Sequence, residues 1–153
     1  MPLFYLDSSA LTKQYQTEIG SAWVQQLTNI QPIAISTLVI VEVSSAIARL
    51  VREGMLIPGQ RNMILQRFTL DVEAMLVIGL ERDIVEDAAA LVVQAPIGIP
   101  LRSLDALHLA AARALAATAP ATSSGLTLVS ADTRLLAAAQ WAGFVTDNPE
   151  NHP

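Results

Sequence analysis

Hydrophobic and polar positions follow two rhythms along this chain. Short apolar runs closed by turn signals occur at Leu3–Leu6, Ile33–Ser36, Met75–Leu80 and Leu126–Ser130, and they predict strands buried on both faces. Between them, apolar residues recur at helical spacing. That spacing predicts helices over Ser9–Gln16, Gly20–Leu27, Leu38–Glu53, Pro58–Glu73, Glu81–Gln94, Ser103–Ala117 and Asp132–Ala142. Ser36 or Thr37 can cap the third of these, Gly54 ends it, and Pro58 suits the first position of the fourth. Gly143–Val145 is a candidate short fifth strand, while Ala95–Leu101 and Thr118–Gly125 read as loops. Strands alternating with helices of this length predict an α/β fold of three layers, α/β/α, around a parallel sheet of four to five strands. With no repeat and no linker, residues 1–147 form a single domain and Asn148–Pro153 a loose C-terminal tail.

The chain has 153 residues, 52% of them hydrophobic and 15% charged, so aliphatic and alanine packing can fill a full core. Glu42, Arg49 and Arg113 interrupt the longest apolar stretches before the roughly 18–20 residues of a membrane span. No basic start with an apolar signal core is present, and the expected compartment is the cytoplasm. Without cysteine there are no disulfides, thiolate metal sites or thiol nucleophiles. Net charge is −5, so a nucleic-acid substrate would need local arginines or bound cations to attract it. The single lysine, Lys13, excludes a P-loop, which needs one directly after its glycines.

Four acids stand in company that does not suit them. Asp7 closes the first predicted strand and Asp132 directly follows the fourth. Each can cap the helix behind it, but the carboxyl end of a parallel strand is also where open α/β sheets place ligands. Glu42 lies in the otherwise apolar LVIVEV, where a charge costs several kcal/mol unless paired. Arg49 and Arg52 are its local candidates, yet neither stands at the i+4 spacing of a helical pair. Asp105 falls in the first turn of a helix, with Arg102 three residues before it, and the helix dipole favours it there.

If the first and fourth strands are neighbours, all four acids approach one rim of the sheet. Two carboxylates about 4 Å apart repel by about 4 kcal/mol at an effective dielectric near 20. Several such pairs would consume much of a domain's roughly 5–15 kcal/mol of stability. Protons, arginines or divalent cations must compensate, and an all-oxygen set suits Mg²⁺ or Mn²⁺. His108, beside Asp105, could be a general base, although a single histidine among leucines and alanines is more often a packed or surface residue. A serine hydrolase is disfavoured because Ser8-Ser9 lacks the G-x-S-x-G elbow. A phosphatase nucleophile at Asp7 would want a second acid where Ser9 stands.

The segments FYLDSSALTK, VIVEVSSAI, LRSLDALHLAAA and LVSADTRLLAAAQWAGF resemble, in order and spacing, the motifs of PIN-domain ribonucleases. Among these they resemble most the VapC-type toxins of bacterial toxin–antitoxin pairs. The resemblance runs from Leu3 to Phe144. It implies that Asp7, Glu42, Asp105 and Asp132 are the acidic quartet that holds one or two Mg²⁺ or Mn²⁺ ions, with Ser9 and Ser130 the accompanying hydroxyls. It further implies an endoribonuclease leaving a 5′-phosphate and a 3′-hydroxyl, a homodimer, an RNA substrate and a cognate antitoxin. Ala119–Gly125 departs from the pattern, being longer and softer than the segment many members have before the last core strand. An alternative of another class is a PIN fold that binds a partner protein with little turnover. Trp23, Trp141 and the aliphatic residues of Met55–Met75 would then supply its contacts.

Overall fold

A computed structural model describes residues 1–118 and 125–152 of the chain; the predicted loop before the fourth strand lies, over 119–124, outside the described residues. Five parallel strands form one sheet, β1 (Leu3–Leu6), β2 (Ile33–Ser36), β3 (Leu76–Ile78), β4 (Leu126–Val129) and β5 (Val145–Asp147), in the order β3-β2-β1-β4-β5. Among the described residues seven α-helices connect or flank them: α1 (Ser8–Leu11), α2 (Ser21–Ile30), α3 (Thr37–Arg52), α4 (Pro58–Glu73), α5 (Arg82–Gln94), α6 (Ser103–Thr118) and α7 (Thr133–Trp141).

The central strands are buried on both sides because both faces are covered, and successive side chains divide between two cores. Tyr5, Ala34 and Leu128 face the alanine-rich layer of α5, α6 and α7, where Ala106, Leu109, Ala110 and Ala138 are packed. Leu6, Ile35 and Val129 face the other layer, against Leu11, Val24, Val39, Val43 and Phe68 of α1 to α4. The three-layer arrangement predicted from the alternation is the one observed.

The chain winds from β1 outward through β2 to β3 and then returns to the opposite side of β1 with β4 and β5. Strand order therefore reverses between β1 and β4, where Tyr5 lies opposite Leu128 and Leu6 opposite Val129. A crevice opens beyond the carboxyl ends of strands at such a reversal, and ligands bind there.

Two expectations are corrected. The fifth strand runs from Val145 to Asp147 and does not start at Gly143. Gly143 adopts φ +89° and its N–H bonds to Gln140, so it ends the turn that closes α7 before pairing begins. The C-terminal segment is not a loose tail over 148–152. Pro149–Asn151 form a 3₁₀ turn, Pro149 is buried, and the Asn148 side chain accepts from the Glu150 N–H at 2.9 Å. His152 stacks on Trp23 with ring centroids 4.3 Å apart and bonds to Asp147 at 2.9 Å. The reason lies at Gly20, whose backbone takes φ +86°; a Cβ there would sit 2.4 Å from the Pro149 carbonyl oxygen. Only glycine allows the C-terminal segment to lie so close.

Candidate functional site

The four acids reach one cavity by three local devices. Asp7 and Asp132 each follow a strand and cap the next helix. The Asp7 carboxylate accepts from the Ala10 N–H at 2.9 Å, and that of Asp132 from the Arg134 N–H at 2.8 Å. The capping and functional readings are thus not alternatives, because a cap at the carboxyl end of a parallel strand already stands at the ligand-facing rim. Glu42 lies in the second turn of α3, directly after β2, and Asp105 in the first turn of α6. Together with Ser9, Arg102 and His108 they line a cavity of about 380 Å³.

Asp7 is buried and held by three neighbours. The Ser9 hydroxyl donates to it, 2.8 Å from Oδ1 and 2.9 Å from Oδ2, and the Ser130 hydroxyl donates to Oδ2 at 2.8 Å. These hydroxyls also accept, Ser9 from the Ala131 N–H and Ser130 from the Asp132 N–H, both at 2.9 Å. The loop after β4 is thereby stitched to the loop after β1. Ser130 is fully buried behind Asp7 and does not line the cavity, so its hydroxyl fixes that carboxylate, whereas Ser9 does both. Burial pushes the Asp7 carboxyl above the ordinary range; His108, the Ala10 N–H and the two hydroxyls only partly offset this.

Glu42 finds a partner that the sequence reading did not assign to it. His108 Nε2 lies 2.8 Å from Glu42 Oε2, and its Nδ1 meets the Tyr5 hydroxyl at 3.1 Å. His108 is buried on α6, so the histidine joins the sheet, α6 and α3 through side chains alone. Burial works to raise the Glu42 carboxyl, but the hydrogen bond and charge of His108 outweigh it and hold the group below the ordinary range. Burial likewise pushes the Tyr5 phenol far up, so it stays protonated. The proposed local partners do not reach Glu42: Arg49 instead lies 3.8 Å from Glu53 on an exposed face.

Asp105 and Asp132 share one arginine. Arg102 Nε stands 3.2 Å from Asp105 Oδ2, and Nη2 stands 2.9 Å from Asp132 Oδ2. Compensation by arginine and histidine is therefore built into the chain. The donor set around the cavity is four carboxylates with hydroxyls beside them, and this hard oxygen chemistry fits Mg²⁺ or Mn²⁺. As placed, the acids are held in separate groups, and among the described residues no three His, Asp or Glu side chains are close enough to share one ion.

Among curated proteins, none matches the sequence. Solved structures do match the fold. FitAcB from Neisseria gonorrhoeae aligns with a TM-score of 0.66 at 18% identity, over 95% of this chain and 97% of that one. VapC20 from Mycobacterium tuberculosis, titled a sarcin–ricin loop cleaving toxin, aligns at 0.65 and 17% identity, over 93% and 96%. A toxin–antitoxin complex from Klebsiella pneumoniae aligns at 0.59 and 21% identity, over 97% and 98%. At such identities these likenesses speak to the fold. A PIN domain family model matches residues 4–140, nearly the whole chain, and Asp7, Glu42, Asp105 and Asp132 all fall inside that span; the chain belongs to the PIN domain family.

Proposed function

We propose that this protein is a metal-dependent endoribonuclease, the toxin of a VapBC-type pair. The observation that carries the reading is that Asp7, Glu42, Asp105 and Asp132, spread over most of the chain, line one cavity at the strand-order reversal. Asp7 and Asp105 are the main candidate ligands for Mg²⁺ or Mn²⁺, and Glu42 and Asp132 would complete the set directly or through water. When bound, such an ion supplies charge neutralisation and Lewis acidity for in-line hydrolysis of a phosphodiester.

The chain's own residues supply the rest. Ser9 and Ser130 hold the Asp7 carboxylate in one orientation, and His108 does the same for Glu42. Water adds across the P–O bond, giving a 5′-phosphate and a 3′-hydroxyl. The structural neighbour from Klebsiella pneumoniae is a toxin–antitoxin complex, which supports a cognate antitoxin as partner. With it we propose a cytoplasmic homodimer. Among the described residues no helix is long and apolar enough to cross a membrane.

The test is an RNA cleavage assay of the full chain with Mg²⁺, with EDTA, and with Asp7→Asn. Cleavage is expected with Mg²⁺ alone. Asp7→Asn should lose at least about 100-fold, the upper end of what is lost when only a group orienting a ligand is removed. Undiminished cutting in EDTA, or by Asp7→Asn, would overturn the reading. Metal binding with no cutting would move the protein to the partner-binding alternative.

A further inference from the structure

Arg102 precedes α6 at the rim of the cavity, and its guanidinium lies between two carboxylates that come from different parts of the chain. Nε faces Asp105 and Nη2 faces Asp132, 30 positions apart in sequence from Arg102. Among the described residues it is the one positive side chain that bridges two of the four acids. Arg134 touches Asp132 alone, at 3.8 Å, and His108 touches Glu42 alone.

We propose that Arg102 is a resident counter-cation that a divalent ion displaces, so that loading the site is an exchange of one cation for another. The proposal rests on the metal-dependent reading above. Its support is the geometry. A guanidinium fork occupies the place between Asp105 and Asp132 that a shared ion would need. The remaining two acids need no such occupant, since Asp7 is held by hydroxyls and a backbone N–H and Glu42 by His108. Arg102 is also able to leave. Its side chain is 54% exposed, so the guanidinium can swing outward without disturbing the core. Hydration of the released guanidinium then replaces the two ion pairs, and both carboxylates turn to the entering ion.

A fixed structural ion pair and an exchanging one make different predictions. If Arg102 only ties the loop before α6 to the loop before α7, its removal weakens the fold equally with and without metal. If it exchanges, removal weakens the metal-free protein and strengthens metal binding.

The experiment is calorimetric titration of Mn²⁺ into the full-length wild type, Arg102→Gln, Arg134→Gln and Asp7→Asn, with thermal melts of each with and without saturating Mn²⁺. Arg102→Gln is expected to bind Mn²⁺ about fivefold more tightly than wild type, which is about 1 kcal/mol. Arg134→Gln, which removes a nearby charge that bridges nothing, is expected to gain less than threefold. Arg102→Gln should also melt below wild type without metal and level with it once loaded. Equal or weaker Mn²⁺ affinity in Arg102→Gln, or an equal gain in Arg134→Gln, would overturn the exchange. If wild type binds Mn²⁺, Asp7→Asn does not, and Arg102→Gln shows no gain, the exchange fails while the metal site stands. If neither wild type nor Arg102→Gln binds Mn²⁺, both proposals fall.

Discussion

Sorted by their partners, Asp7 and Glu42 fall to one side and Asp105 and Asp132 to the other, and the two sides are held by different kinds of neighbour. Around Asp7 and Glu42 the partners are buried apart from the half-buried Ser9: Ser130, His108 (itself held by Tyr5) and a backbone N–H. Around Asp105 and Asp132 the main partner is one half-exposed arginine. Buried partners fix a carboxylate's direction, because any other arrangement leaves a polar group unsatisfied. An ion pair whose arginine is half exposed fixes less, because water competes for the guanidinium. The site therefore joins a preset side to an adjustable one.

The sharpest way to break this comparison is His108→Ala. It strips Tyr5 and Glu42 of their partner and leaves space in the core, so a loss of about 2–4 kcal/mol is expected. In a chain of this size that is a fall of roughly 4–16 °C in Tm. A loss under about 1 kcal/mol would show that the buried side is no more firmly set than the exposed one.

Asp7→Asn comes next, and its sign depends on pH. Because burial raises the folded-state value of Asp7, the stability linked to its proton is full below the ordinary aspartate value of about 3.9. It is lost as pH rises through the raised value. Without metal, Asp7→Asn should thus melt roughly 2–6 °C above wild type at neutral pH, with the gap closing in acid. A gap that widened on acidification would contradict the burial argument. The smallest effect is expected from Arg102→Gln, at most about 1 kcal/mol in metal-free unfolding, since the pair is more than half open to solvent on the arginine side. A cost equal to that of His108→Ala would erase the distinction between the two sides.

Legibility in the sequence follows the same division. The acids were readable because each is a charge in an apolar string or at a strand end, a conflict visible within a few residues. The sheet was readable because its central strands are short, apolar and bounded by turns. Arg102 was visible as a neighbour of Asp105, but its second contact needs the approach of α6 to the loop after β4. The His108 pair was not readable at all. Its two members are 66 positions apart, on different helices, and meet only because α3 and α6 begin at the same rim of the sheet. Local spacing offered arginines instead, and these face solvent. The C-terminal segment was misread for a similar reason: a polar, proline-containing ending looks unpacked until Gly20 and Trp23 are known to lie beneath it.

That packing has a practical corollary. Lys13 is the chain's single lysine, and it is 2% exposed, its ammonium donating to the Ile19 carbonyl at 2.9 Å with Glu150 3.3 Å away. Acylating reagents therefore meet no accessible side-chain amine on the folded protein. A label arriving on Lys13 would instead report that the segment carrying Pro149 and Glu150 had lifted off, giving a chemical readout of opening right beside the acidic cavity, whose Ser9 and Glu42 also line the pocket that holds Lys13.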